Sequence, residues 1–182
     1  MKIDLMFNDI LKTKHGSDPG SSSAMNDEVD SQSTQKCAEY IKQKITEHPF
    51  LKPLAIVLKK YLALKNLNSP FQGTMSSYAL VLMIIALLRD MGKAWVHLER
   101  DGPQFEGNLG RAFTHFLAVY GEQFSTQHFG IDERCEFVES QNMGGGAAFL
   151  TSSGQFGLSV LDPVDPNNNV GKQTYNFNLV QD

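Results

Sequence analysis

Apolar positions along this chain fall into three helical stripes, one unbroken run and several short alternating stretches. After Ser33 and Thr34, either of which suits a helix N-cap, QKCAEYIKQKI keeps Cys37, Tyr40, Ile41 and Ile45 on one face. HPFLKP interrupts that stripe. A second helix is expected from about Pro53, a residue that fits a first turn, to Lys65. Leu54, Val57, Leu58, Tyr61 and Leu62 form its apolar face. Beyond NLNSPFQGT, the eleven residues Tyr78 to Leu88 carry no charge. A bilayer-spanning helix needs about 20 apolar residues, so this run predicts a buried helix. Capped by Ser76 or Ser77 and ending near Met91, it is apolar almost all round and belongs at the centre of the core. Asn108 is placed to cap a fourth helix, striped by Leu109, Ala112, Phe113, Phe116, Leu117, Tyr120 and Phe124.

The flanking segments read differently. Residues 2–8, KIDLMFN, alternate like one short strand, which needs partners to be stable. Residues 9–32 are Ser-, Gly- and Asp-rich without apolar periodicity, the pattern of a flexible insertion. Towards the C-terminus, GIDERCEFVES and AAFLTSSGQFGLSVLDP predict short strands around Gly144, Gly145 and Gly146, with a small hairpin. The tail DPVDPNNNVGKQTYNF is turn-rich and then helical for about one turn. The sum is a mostly helical domain with a minor β element and no internal repeat.

Composition narrows the picture. The chain has 182 residues, 41% of them hydrophobic, enough for one domain with a real core. The N-terminus lacks the sustained apolar region of a secretory signal. Cys37 and Cys135 lie in no metal-type spacing and read as buried thiols of a reducing compartment. The five histidines show no ligand spacing, and no Walker A, GxGxxG or G-x-S-x-G pattern is present. A net charge of −4 argues against strong binding of nucleic acid by phosphate neutralisation alone.

Four stretches carry candidate chemistry, and each has a plainer reading. In GTMSSYALVLM, the start of a buried helix offers unpaired N–H groups to an anion, and Tyr78 offers a ring face to a base; read alone, it is a good N-cap before a core helix. In VLKKYLALK, Lys59 borders the apolar stripe within reach of a phosphate, or simply snorkels at a solvated helix edge. In DPVDPNNNVGK, Asp162, Asp165 and the three asparagines make a polar turn able to read a base edge, or a surface loop of turn formers. In KIDLMF, Asp4 is a potential metal ligand, though one carboxylate is not a site.

The order of these pieces resembles the central domain of the noncanonical poly(A) polymerases and terminal uridylyltransferases, nucleotidyltransferases of the DNA polymerase β-like superfamily. The resemblance rests on PFLKPLAIVLKKYLALKNLNSPF, GTMSSYALVLM, NLGRAFTHFLAVYGEQF and LDPVDPNNNVGKQTYNF, and runs from about Ser33 to Phe177. The third block is most similar to the topoisomerase-related-function (polymerase sigma) branch, which makes short poly(A) tails on nuclear RNA. The fold implied is a helical, PAP-associated central domain over 33–182, with residues 1–8 as the last strand of a catalytic α/β domain and 9–32 as an insertion.

By the same resemblance, Ser77 bonds the nucleotide triphosphate, Tyr78 stacks on the incoming base and Lys59 contacts the phosphates. A second lysine common in uridylyl-type members is replaced here by Ala63. Asp162, Asp165, Asn168 and Asn169 lie in the nucleotide recognition motif. Asn168 stands where uridylyl-specific relatives often have His, which favours ATP; Asp165 pulls mildly towards UTP. Ser33 and Thr34 stand in place of an asparagine that contacts the sugar.

The implied mechanism is two-metal nucleotidyl transfer with Mg²⁺ or Mn²⁺, in which Asp4 is the third carboxylate, a metal ligand and base for the RNA 3′-hydroxyl. The family's glycine-serine turn and paired D-x-D carboxylates belong upstream of that strand and are absent here. The chain alone is therefore expected to be inactive, a fragment of an ATP-using, RNA 3′-terminal adenylyltransferase. The alternatives are a uridylyltransferase or a noncatalytic module binding nucleotide, RNA or protein. Expected partners are an RNA 3′ end, a cofactor protein supplying RNA affinity and, for the fragment, a second copy of itself. The expected compartment is the nucleus or the cytoplasm.

Overall fold

The computed structural model describes residues 24–96, 108–143, 150–152 and 154–181; the expected strand at 2–8, Asp4 and Gly144–Gly146 lie outside them. Helix α1 spans Ala24–Glu47, α2 Leu51–Leu64, α3 Ser77–Val96, α4 Leu109–Ala118 and α5 Phe177–Gln181. A two-stranded antiparallel hairpin pairs β1 (Phe129–Ile131) with β2 (Phe137–Glu139), Phe129 facing Glu139. The architecture is mostly α with a small hairpin, as the hydrophobic pattern predicts.

α3 is the axis of the core. All nine residues from Ala79 to Leu87 are buried, so the helix has no solvated face over that length. Each large aliphatic side chain removed from water there contributes about 1.5–3 kcal/mol. α2 packs against both α3 and α4, and α1 docks on α2. Leu51, Leu54, Ala55, Leu58 and Leu62 form the buried stripe of α2. Val57, expected on that stripe, is 38% exposed and sits at its edge. Among the described residues, no helix is long and apolar enough to cross a membrane.

Two boundaries differ from expectation. α1 begins at Ala24, so residues 24–32, expected to belong to a flexible insertion, are helical, and Ser33 and Thr34 are interior residues rather than N-caps. The physical reason is the absence of any Gly or Pro between Ala24 and Glu47; the breakers Pro19 and Gly20 come earlier. The hairpin also forms wholly within GIDERCEFVES, not around Gly144–Gly146. Asp132 closes its turn by accepting the N–H groups of Arg134 (3.0 Å) and Glu136 (2.8 Å), and Cys135 takes a positive φ of 55°. A single acidic side chain thus does the work expected of glycines. Among the described residues, the second predicted strand segment makes isolated bridges, Leu150 with Phe156, Val160 with Ile131 and Leu161 with Asn169.

The stripe of α4 continues past Ala118 into a π-helical turn, Val119–Gln123. α5 secures it: the Gln181 amide donates to the carbonyls of Tyr120 (3.0 Å) and Phe124 (2.9 Å). Those carbonyls would otherwise lack intrahelical partners. Tyr120 packs among Phe116, Phe124 and Phe137, with ring centroids 4.6, 5.4 and 5.9 Å away.

Candidate functional site

The start of α3 is built by the loop before it. Gly73 has φ +71°, and a Cβ at that position would collide with the Tyr175 ring. Its carbonyl accepts the Asn176 N–H at 2.8 Å, and the Asn176 amide donates to the Gln72 carbonyl at 2.9 Å. The approach to α3 is therefore fastened to the Tyr175–Asn176 segment, about a hundred residues further along the chain. Ser76 is the cap: its buried hydroxyl accepts the Ala79 N–H at 3.1 Å. Ser77, the first helical residue, stays half-buried, so the serine not used for capping is the one at the surface of the helix end.

Tyr78 is only 6% exposed, and its hydroxyl donates to Asp162 Oδ1 at 2.8 Å. Burial, then the charge of Asp162 and contact with Cys37, hold its phenol far above the ordinary range. Asp162 is completely buried, and its carboxylate is well supplied with donors. Oδ1 accepts from the Tyr78 hydroxyl and from the Val164 N–H at 3.0 Å; Oδ2 accepts from the Asn168 amide nitrogen at 3.2 Å. A buried carboxylate is tolerated only with such partners.

The turn from Asp162 to Gly171 is fixed by its own side chains. The Asp162 N–H donates to the Asn168 carbonyl at 2.9 Å, closing the loop. Asp165 is exposed; its Oδ1 accepts the Asn167 N–H at 3.2 Å and its carbonyl the Asn168 N–H at 2.8 Å. Asn169 Oδ1 accepts from Val160 and Gly171 N–H groups, both at 3.0 Å. Gly171 follows because a Cβ there would strike the Leu158 carbonyl. A short 3₁₀ turn, Val170–Gln173, then rests against α3.

The structure thus joins Tyr78, Asp162 and Asn168 in one hydrogen-bonded chain, places Asp165 in the same turn, and sets Ser77 beside Tyr78. Asn169 acts as a stitch in the turn. Lys59 is half-buried on the neighbouring helix α2, where it already takes part in a polar interaction. Thr34 is half-buried inside α1, and Asp4 lies outside the described residues. Sequence reasoning missed the contact of Cys37 with Tyr78 and the role of Gly171; nothing local in the chain announces either. Among the described residues, no three of His, Cys, Asp or Glu come together to hold a metal. A cleft of about 400 Å³ between α2, α4 and α5, floored by Leu58, Met83 and Phe116, does not include the Tyr78–Asp162–Asn168 group.

No protein-family model matches the chain. Its sequence is 31% identical over 148 residues to Poly(A) RNA polymerase gld-4 of Caenorhabditis elegans, covering 80% of this chain and 17% of that protein. It is 32% identical over 130 residues to Poly(A) RNA polymerase cid14 of Schizosaccharomyces pombe, covering 70% and 18% respectively. The chain spans less than a fifth of the length of these curated relatives. The fold matches the polymerase core of TRAMP, an RNA surveillance complex, with TM-score 0.65 and 19% identity over 80% of this chain and 44% of that one. It also matches RNA editing TUTase 1 of Trypanosoma brucei, solved with the UTP analog UMPNPP, with TM-score 0.59 and 19% identity over 81% of this chain and 38% of that one.

Proposed function

We propose, from the chain's membership of the noncanonical poly(A) polymerase and terminal nucleotidyltransferase family, that it is the nucleotide-recognising central domain of a template-independent RNA 3′-terminal adenylyltransferase. The observation that carries this reading is the buried link Tyr78–Asp162–Asn168, which locks a base-reading turn onto the start of the core helix. In this reading the N–H groups and hydroxyl at Ser77 receive the triphosphate, with Lys59 as a supporting charge. Asn168 reads the base edge, which favours ATP. Tyr78 anchors Asp162 through its hydroxyl; stacking on the base, the role the resemblance implies, requires the groups covering its ring to move aside on binding.

The transfer chemistry belongs to the longer protein. Divalent cations would supply activation of the RNA 3′-hydroxyl there, with Asp4 as one ligand. Asp4 lies outside the described residues, and among those no metal-ligand set comes together. With a net charge of −4, RNA affinity is assigned to a partner protein.

Extension of an RNA 3′ end by the full-length protein, with each nucleotide in turn, tests the reading. ATP incorporation is expected, and Asn168→His should raise the use of UTP relative to ATP. An unchanged ATP/UTP ratio in that variant removes the basis for the adenylyl assignment. Preferred use of UTP by the unaltered protein favours the uridylyl alternative, for which exposed Asp165 beside Asn168 is the supporting feature.

A further inference from the structure

The Asp162 carboxylate constrains more than the path of the turn. An ionised carboxylate only accepts hydrogen bonds, and Oδ2 stands 3.2 Å from the Asn168 side-chain amide. The amide must therefore turn its nitrogen, not its oxygen, towards Asp162. The chemistry of the partner fixes the orientation of the amide. Asp162 cannot adapt by rotating, because Oδ1 is held by the Tyr78 hydroxyl at 2.8 Å and the Val164 N–H at 3.0 Å, and the residue is completely buried. One of the two hydrogens of the Asn168 nitrogen is thereby engaged, and Oδ1 of Asn168, on the other branch of the amide, is the acceptor directed away from Asp162.

We infer that Asp162 is a specificity-determining positioning residue: by orienting the Asn168 amide it presents an acceptor to the base, and so selects bases carrying an exocyclic amino group over those carrying a carbonyl. The inference rests on the reading of this turn as the nucleotide site. Adenine and cytosine offer an amino donor at that edge, whereas uracil and guanine offer an acceptor. Asp162 need not touch the nucleotide to exert this effect.

The structure provides a way to reverse it. In Asp162→Asn, the side-chain oxygen of residue 162 still accepts from Tyr78 and Val164, but its other branch becomes a donor. The Asn168 amide then flips, accepts that donor through its oxygen and presents N–H groups to the base. No hydrogen bond is lost within the turn, so the variant should fold. Adding Asn168→Asp restores a donor–acceptor pair with an acceptor facing out.

The experiment is competitive incorporation of ATP, CTP, UTP and GTP by the full-length protein, with melting curves for each variant. Asp162→Asn should shift the ratio of amino-bearing to carbonyl-bearing bases by about tenfold towards UTP and GTP. The double variant Asp162→Asn/Asn168→Asp should shift it back. Tyr78→Phe, which removes one bond to Asp162 without changing the sign of the pairing, should lower incorporation of all four without moving the ratio. An active unaltered protein whose Asp162→Asn variant loses all four nucleotides alike, with no recovery in the double variant, would make Asp162 a purely structural residue and overturn the inference. If the single variant melts below the assay temperature, the double variant decides, since a preference for UTP and GTP there contradicts the proposed orientation. Failure of the unaltered protein to use any nucleotide defeats the reading of the site itself.

Discussion

Two buried tyrosines belong to the surroundings of helix α3, one within its first turn and one packed against its middle, and their hydroxyls differ in acceptor. Tyr78 and Tyr120 are 6% and 4% exposed. Burial drives the phenol of each well above its ordinary range. Tyr120 donates to the Met83 carbonyl at 2.7 Å, a main-chain acceptor that any sequence would provide at that place. Tyr78 donates to the Asp162 carboxylate at 2.8 Å, across 84 residues of sequence. A carboxylate at zero exposure is costly, because its desolvation must be offset by several donors held in position. Burial does not separate the two tyrosines. The nature of the acceptor does.

Removing the larger packing contribution breaks the comparison most severely. Tyr120→Ala should hollow out the cluster of Phe116, Phe124 and Phe137 and lower unfolding free energy by about 3–5 kcal/mol in denaturant titration. Milder changes sharpen it. Tyr120→Phe gives up a bond to a neutral carbonyl and should cost about 1 kcal/mol, whereas Tyr78→Phe gives up a bond to a carboxylate and should cost about 2 kcal/mol. Equal losses would mean that the Tyr78–Asp162 contact is no stronger than an ordinary one. The smallest effect is at alkaline pH, where the two tyrosines should behave alike. Each holds its proton in the folded state beyond the unfolded phenol value of about 10, so the unfolded chain loses protons first. Their contribution to stability is complete below that pH and falls as pH rises above it. Phenolate absorbance from these residues should appear together with loss of helical circular dichroism, and earlier ionisation of either would contradict its burial.

Much of this fold was legible because hydrophobic spacing is a local signal. The unbroken run Tyr78 to Leu88 became the core helix, and the stripes of α2 and α4 fell where their periods put them. The errors arose where one side chain or the lack of a breaker decided the outcome. Asp132 turned a hairpin inside a stretch read as a single strand, and α1 ran nine residues upstream of the expected cap for want of a glycine or proline. At the candidate site, residue types and motifs singled out positions, and the choice between Ser76 and Ser77 as cap stayed open until the Ser76–Ala79 bond fixed it. Partnerships were not legible. Nothing near Tyr78 in sequence points to Asp162, and nothing near Tyr40 points to Cys135, 3.4 Å from its hydroxyl and 95 residues away.

The fastening of Gly73 to Tyr175 and Asn176 has a consequence for synthesis on the ribosome. A nascent chain that has emerged only as far as residue 150 contains all of α1 to α4, and those helices have partners to pack against. It has no Asp162 to receive the Tyr78 hydroxyl, and nothing to hold the Gly73 turn. Contacts of such sequence separation form late, after the cost of closing the intervening loop has been met. The helical bundle can therefore mature first, while the buried Tyr78–Asp162 link and the fastening of the Gly73 turn form only once residues 162–176 have emerged. A translation product cut short before residue 162 would leave a folded scaffold without the carboxylate that receives the Tyr78 hydroxyl.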